Sequence, residues 1–336
     1  MRRREVIALV ATLVLVSVLL VVFGSPSHRE AGPGRGHGQH LPALPAGQVA
    51  APDRPWDDLF QSYGDTSGNW SGADGAQSLL MPDGSTIWFF GDTYLGAPGA
   101  DGTRDPLTTG FTHNSALHYA AGRLSMVLAD PPGAGGFAHG DAYSLVTPPV
   151  PYPGSRYELF NGDQVIDGGE VVKFYQLADH GLHPDSFPYK LVGTVAETFA
   201  IGAGTGMLRP VSDRPIGVAD TMDSDPLIWG VAVSESGGYV YIYGVRPYRS
   251  GYPLYLARVP AGGLAAGMPW QYYSAAPSCP PGPGAWSSDP AAARPLRTGV
   301  SAGFSVTDVD GPTCCSPTTR RRGRRRTTPW PTTRPA

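Results

Sequence analysis

The chain has 336 residues, enough for one large core, with 45 Gly, 35 Pro and an aromatic share of 10%. This composition shows no long amphipathic helical period and points to a loop-rich, all-β protein. The net charge of −3 conceals an acidic body, because residues 41–311 hold 13 Lys+Arg against 26 Asp+Glu, which argues against binding a phosphate backbone.

Arg2-Arg3-Arg4 precedes Val6 to Phe23, an uncharged apolar run. It is long for a signal-peptide core and just long enough to span a bilayer. Positive residues ahead of it keep that end in the cytoplasm. Residues 1–24 are therefore expected to be an uncleaved anchor, with a cleaved signal peptide as the alternative. The body lies outside the cytoplasm in either case. Residues 25–52, rich in Gly, Pro and His, read as a flexible tether. His28, His37 and His40 are scattered along it and read as solvated rather than as metal ligands.

The most informative segment follows. Trp70-Ser71-Gly72-Ala73-Asp74-Gly75 leads into an apolar run and then Pro82-Asp83-Gly84. Ile87-Trp88-Phe89-Phe90 and Gly91-Asp92-Thr93 come next. Asp-Gly between apolar runs signals a β-hairpin with positive φ at both central turn residues. Its strands are expected at about 76–81 and 85–90. Paired residue numbers then sum to about 166 or 167. Asp74 and Asp92 should face each other at the open end of the hairpin. Two carboxylates on one rim suit acid/base cleavage of a glycosidic bond.

The hairpin recurs around Asp167-Gly168-Gly169, Gly237-Gly238 and Asp310-Gly311. Third strand-like runs follow at Ser115–Tyr119, Glu197–Ile201 and Pro253–Ala257. Repeats of three or four strands read as propeller blades. The expected fold is an all-β β-propeller over residues 53–311, in which four hairpins are visible and the fourth breaks off. Strand patterning stops at Pro312, and Arg320-Arg321-Arg322-Gly323-Arg324-Arg325-Arg326 follows. Reading the codons of 312–319 one base earlier restores an apolar strand after the Asp-Gly turn. Residues 312–336 are therefore expected to be a frameshifted basic tail. A genuine arginine-rich tail for an acidic polymer is the rival. Cys314 and Cys315 belong to that tail. Cys279 stands alone in a Pro-rich loop.

Trp70 to Gly75, Leu80-Met81-Pro82-Asp83-Gly84, Trp88 to Gly96 and His113-Asn114-Ser115 resemble secreted bacterial proteins of the domain-of-unknown-function families 4185 and 5005. The resemblance implies a five-bladed propeller related in architecture to arabinan-cleaving and sialidase-type hydrolases. It implies that Asp74 and Asp92 match a functional carboxylate pair. Some relatives are endo-acting on the arabinan of mycobacterial cell walls.

Asp74 and Asp92 are accordingly the candidate acid and base, the alternative being Asx-type caps on strand ends. Asp163, on the inner strand of the second repeat, is a third catalytic candidate that would orient the pair or tune a pKa. A structural ion pair is its alternative. Trp70 and Trp229 are candidate sugar platforms, against packing between blades. His113 and Asn114 would donate hydrogen bonds to sugar hydroxyls or fix a loop. Asp220, Asp223 and Asp225 form a loop cluster of the kind that could bind a structural calcium, but their spacing is not that of an EF-hand, and no cofactor is expected. The expected partner is a polysaccharide, bound by a monomer. A non-catalytic glycan- or partner-binding propeller and a non-functional truncated product are the alternatives to the hydrolase.

Overall fold

The computed structural model describes residues 53–104, 110–127, 144–152, 156–183, 188–202, 207–219, 221–275, 285–301 and 303–306. The expected anchor, the tether with its histidines, Asp220, the three cysteines, the turn at Asp310-Gly311 and the tail from Pro312 lie outside these residues.

The described chain is mostly β, in four antiparallel sheets. It opens with a helix that the sequence reading did not anticipate, α1 (Arg54–Thr66). Pro55 sits in its first turn, where a missing N–H costs nothing. Leu59, Phe60 and Tyr63 recur at helical spacing and pack against Trp70, Phe90, Leu117 and Leu124. The amphipathic signal is present, but it is under four turns long.

The strands are β1 (Trp70–Ala73), β2 (Gln77–Leu80), β3 (Thr86–Phe90), β4 (Thr93–Leu95), β5 (Gly110–Thr112), β6 (Ser115–Ala120) and β7 (Arg123–Val127). Longer strands follow: β8 (Tyr157–Asp167), β9 (Glu170–Asp179), β10 (Lys190–Ile201) and β11 (Leu208–Ile216). The last group is β12 (Ile228–Ser236), β13 (Tyr239–Val245), β14 (Leu254–Pro260), β15 (Gln271–Tyr273) and β16 (Trp286–Ser287). Three sheets are meanders: β8-β9-β10-β11 and β12-β13-β14-β15-β16 are consecutive, and β2-β3-β6-β7 is interrupted between β3 and β6 by β4 and β5. The fourth, β1-β4-β5, extends the first hairpin. Three meanders are thus described where five blades were expected, and among the described residues the ladders do not join the sheets into a ring. Gly303 to Val306, expected to begin a fourth hairpin, carry no strand.

The turns follow their glycines. Gly168 and Gly169 have φ of 59° and 84°, and Gly237 and Gly238 have φ of 57° and 78°. These are the two-residue turns whose twist suits a hairpin. The first hairpin differs. Only Gly84 has positive φ, Gly84 N donates to Met81 O, and Met81 N donates to Ser85 O. The loop therefore has three residues, with Asp83 Oδ1 accepting from the Ser85 backbone and hydroxyl.

Alternating strand residues bury the two faces of the middle sheet. Leu159, Val171, Tyr175, Val195 and Phe199 join Ile87, Phe89 and Ala116 of the first meander in one core. Val172, Phe174 and Ala196 join Trp229, Val240, Ile242 and Ala257 of the third in another. The edge strand β8 runs against β12 so closely that a Cβ at Gly162 would lie 2.8 Å from Gly230 O.

Candidate active site

The first hairpin positions the aspartate pair. Gln77 pairs with Phe89 and Leu79 with Ile87, numbers that sum to 166 as the turn required. The same register continues past the expected open end, where Ala73 pairs with Thr93. Asp74 and Asp92 therefore sit not at a frayed end but at the handover between two ladders. Asp74 N donates to Asp92 O at 3.0 Å, and Gly91 N donates to Asp74 O at 2.9 Å. The Asp74 carboxylate lies over Gly91, where a Cβ would come within 2.7 Å of Asp74 Oδ1.

A chain of charged groups continues from Asp92. His113, between β5 and β6, meets Asp92 Oδ1 through Nδ1 at 2.7 Å and Glu158 Oε1 through Nε2 at 2.9 Å. Glu158, on β8, meets His180 Nε2 with its other oxygen at 2.5 Å. Burial opposes charge on His113, but the hydrogen bonds and charges of Asp92 and Glu158 outweigh it and raise the pKa to about 10. The ring is therefore cationic at neutral pH and donates from both nitrogens. Burial would likewise raise Glu158, but His113 and His180 overcome it and lower the pKa to about 2. Asp74 behaves differently. Burial first, and the Asp92 charge second, raise its pKa against weaker opposition from the Asp92 backbone and His113.

Aromatic rings wall this chain. Phe111 and Phe160 meet the His113 ring edge-on at 5.3 and 5.2 Å, and Tyr189 lies against Phe160 and His180. Burial chiefly, then the charge of Asp92 and, less strongly, those of Glu158 and Asp74, push Tyr189 up to about 12. Its hydroxyl thus shares the field of all three carboxylates. Glu158, His180 and Tyr189 were not singled out in the sequence. They stand 66 or more positions beyond Asp92, and no local motif marks them.

Several expected site residues are employed elsewhere. Trp70 is 6% exposed, and Phe60, Tyr63 and Phe90 pack against its ring. Trp229 is 4% exposed, packed between Trp270 and Tyr272. Both are core rings between packed elements and leave no open face for a sugar. Asn114 is 2% exposed and spends its amide on Val146 and Leu159 O, while its oxygen accepts from Val146 N. It fixes a loop rather than facing a ligand. Asp163 does not join the pair. Its oxygens accept from Gln164 N at 2.9 Å and Val233 N at 2.7 Å, tying β8 to β12. Its charge acts on buried Lys173 rather than on Asp74.

In the loop after β11, Asp225 is bound by Arg246 and Arg249. The carbonyls of Thr221, Met222 and Ser224 converge on Lys190 Nζ at 2.9, 2.6 and 2.7 Å. A lysine ammonium occupies the place where loop carbonyls would hold a cation. Among the described residues no group of three His, Cys, Asp or Glu is arranged to hold a metal.

No curated protein matches this chain. Among solved structures, a "putative hydrolase" from Bacteroides ovatus is similar over 70% of this chain, with 20% identity and a TM-score of 0.51. The chain spans 58% of that protein's length. An alpha-L-arabinofuranosidase from Fusarium graminearum with an iminosugar inhibitor aligns at 11% identity over 59% of this chain and 46% of that one, with a TM-score of 0.28. The family model described as domain of unknown function DUF5005 matches residues 57–312, which take in all three meanders, the β1-β4-β5 extension and the charged cluster, and the chain belongs to that family.

Proposed function

We propose that this chain is a glycoside hydrolase in which Asp74 is the general acid and Asp92 the base or nucleophile. The observation that carries the reading is the contrast between two adjacent carboxyls. Asp74 is pushed toward its protonated form by burial and by its neighbour, whereas Asp92 is hydrogen-bonded to a cationic imidazole. Environments that separate paired carboxyls in this way divide the acid and base roles. The acid protonates the leaving oxygen, and its partner attacks the anomeric carbon or activates water. The substrate we assign is an arabinofuranosyl polysaccharide, on the resemblance carried by Trp70–Gly75 and Trp88–Gly96. The fold we assign is a five-bladed propeller. The side-by-side strands β2, β8 and β12 of the described meanders support it. We further place the body outside the cytoplasm, tethered through residues 6–23 and acting as a monomer.

The test is reducing-end release from arabinan. Asp74→Asn and Asp92→Asn should each lower kcat by about 10²- to 10⁴-fold while the unfolding midpoint stays near that of the parent. Turnover at the parental rate removes that residue from the mechanism. A non-catalytic glycan-binding role is the second reading, favoured by the extent to which His113 and His180 already engage Asp92 and Glu158. Glycan binding that survives Asp92→Asn, without cleavage by the parent protein, would establish it.

A further inference from the structure

We infer that Glu158 is a positioning residue for Asp92, acting through His113 and anchored at its far oxygen by His180. The inference rests on the glycosidase reading, which itself assigns Glu158 no role. Its basis is the geometry at one imidazole. His113 Nδ1 is 2.7 Å from Asp92 and Nε2 is 2.9 Å from Glu158, so both ends of the ring are fixed. A neutral imidazole has one N–H and two tautomers. Facing the Asp92 carboxylate, which only accepts, that N–H sits on Nδ1 with or without Glu158, but a second carboxylate at Nε2 holds a proton on both nitrogens and makes the ring a cation. With Glu158 in place, both nitrogens carry protons, so Asp92 is held by a charge-assisted bond from a cation rather than by a neutral N–H.

The second oxygen of Glu158 is held by His180 at 2.5 Å, so the carboxylate cannot turn away from His113. Phe111 and Phe160 pin the ring from the sides. The ionisable groups around His113 are Asp92 from the β3–β4 junction, Asp74 from the β1–β2 junction, Glu158 from β8, His180 just beyond β9 and Tyr189 just before β10. Three of the five are carboxyls, and Asp92 and Glu158 bond the ring directly. Removing the charge of Glu158 leaves the cation with only one direct partner.

The arrangement predicts a particular kinetic signature. With Glu158→Gln, His113 loses its proton as pH rises through the neutral range. Nδ1 still donates to Asp92, but as a neutral donor; the charge-assisted bond weakens, and kcat declines along a limb that the parent lacks. KM changes little, because Glu158 acts through His113 and not on the substrate.

The experiment combines ¹⁵N NMR titration of the His113 ring with kcat–pH profiles on arabinan for the parent, Glu158→Gln and Glu158→Asp. In the parent the ring should remain cationic up to about pH 9. In Glu158→Gln its midpoint should fall toward the ordinary imidazole value of about 6.5. Over the same range kcat should drop about tenfold, with KM within about threefold of the parent. Glu158→Asp, which keeps the charge, should restore part of both. An ordinary His113 titration in the parent, or a Glu158→Gln profile that matches it, overturns the inference while leaving the glycosidase reading intact. A parent that cleaves no glycan removes that reading and the positioning role together. The NMR arm still reports whether the charge chain exists.

Discussion

At the scale of single residues, the interior holds charges that the candidate site does not use. Glu197 on β10 is 4% exposed and pairs in register with Lys173 on β9 and Asp213 on β11. Burial first and the Asp213 charge second raise its pKa to about 8, from an ordinary 4.5. Between these values the folded chain keeps a proton that the unfolded chain has lost. Stability from this group is full below pH 4.5 and is lost as pH rises through 8. Lys173 acts in the opposite sense. It is fully buried, with Nζ donating to Gly162 O, Gln164 and Gln77, and burial lowers its pKa to about 7 against the pull of Asp163. Its contribution is full above an ordinary 10.5 and fades as pH falls through 7. The two windows meet only between pH 7 and 8, so a titration separates them. Glu197→Gln should remove the decline below pH 8 and raise the unfolding free energy there by on the order of 2 kcal/mol. Urea unfolding at pH 5 and pH 8 measures it. An unchanged slope would show that Glu197 is ionised in the native state.

At the scale of elements, the hairpins were legible because their turns are local. Asp167-Gly168-Gly169 and Gly237-Gly238 dictate two-residue turns, and the alternation around them fixes which side chains face inward. Register could thus be carried from Gly84 out to Asp74 and Asp92 by counting. Helix α1 and the continuation of the ladder into β1 and β4 were less legible. Each is short, and each depends on docking: Phe60 has meaning only against Trp70 and Trp88. The aromatic residues misled for the same reason, since exposure of a tryptophan is decided by its partners and not by its neighbours in sequence. The handover at Gly91 offers a test of the element itself. A methyl there would meet Asp74 Oδ1 at 2.7 Å, and the carboxyl must swing away. Gly91→Ala should therefore lower kcat on arabinan by about tenfold or more, as a displaced catalytic group does. The first hairpin, stapled by Asp83 and Ser85, should keep its far-UV circular dichroism. Full activity in this variant would mean that the Asp74 side chain does not work from its present position.

At the scale of the molecule, the candidate site depends on how β2, β8 and β12 are held side by side, and that is where Asp163 belongs. Asn161 Nδ2 reaches Gly75 O at 3.2 Å and Gln164 Nε2 reaches Ser78 O at 3.3 Å, joining β8 to the first hairpin. Asp163 joins β8 to β12 through Val233 N, and Asp167 accepts from Gly262 and Ala265 N in the turn after β14 of the same sheet. One strand thus carries polar links to both neighbouring sheets, and Glu158 lies near its start. A carboxylate on such a strand is easily mistaken in sequence for a catalytic one, because both roles place an acid beside a glycine on an inner strand. The two roles separate experimentally. Asp163→Ala leaves Val233 N and Gln164 N without their acceptor and Lys173 without its nearby charge. Each buried group left unpaired costs about 1–3 kcal/mol. The variant should unfold at lower urea, with a loss of about 2–3 kcal/mol, yet turn over arabinan at close to the parental kcat below its melting range. Asp74→Asn should do the reverse, keeping the urea midpoint and losing turnover. If Asp163→Ala instead loses turnover at parental stability, Asp163 acts in the chemistry, and the link between β8 and β12 is incidental to the strength of the fold.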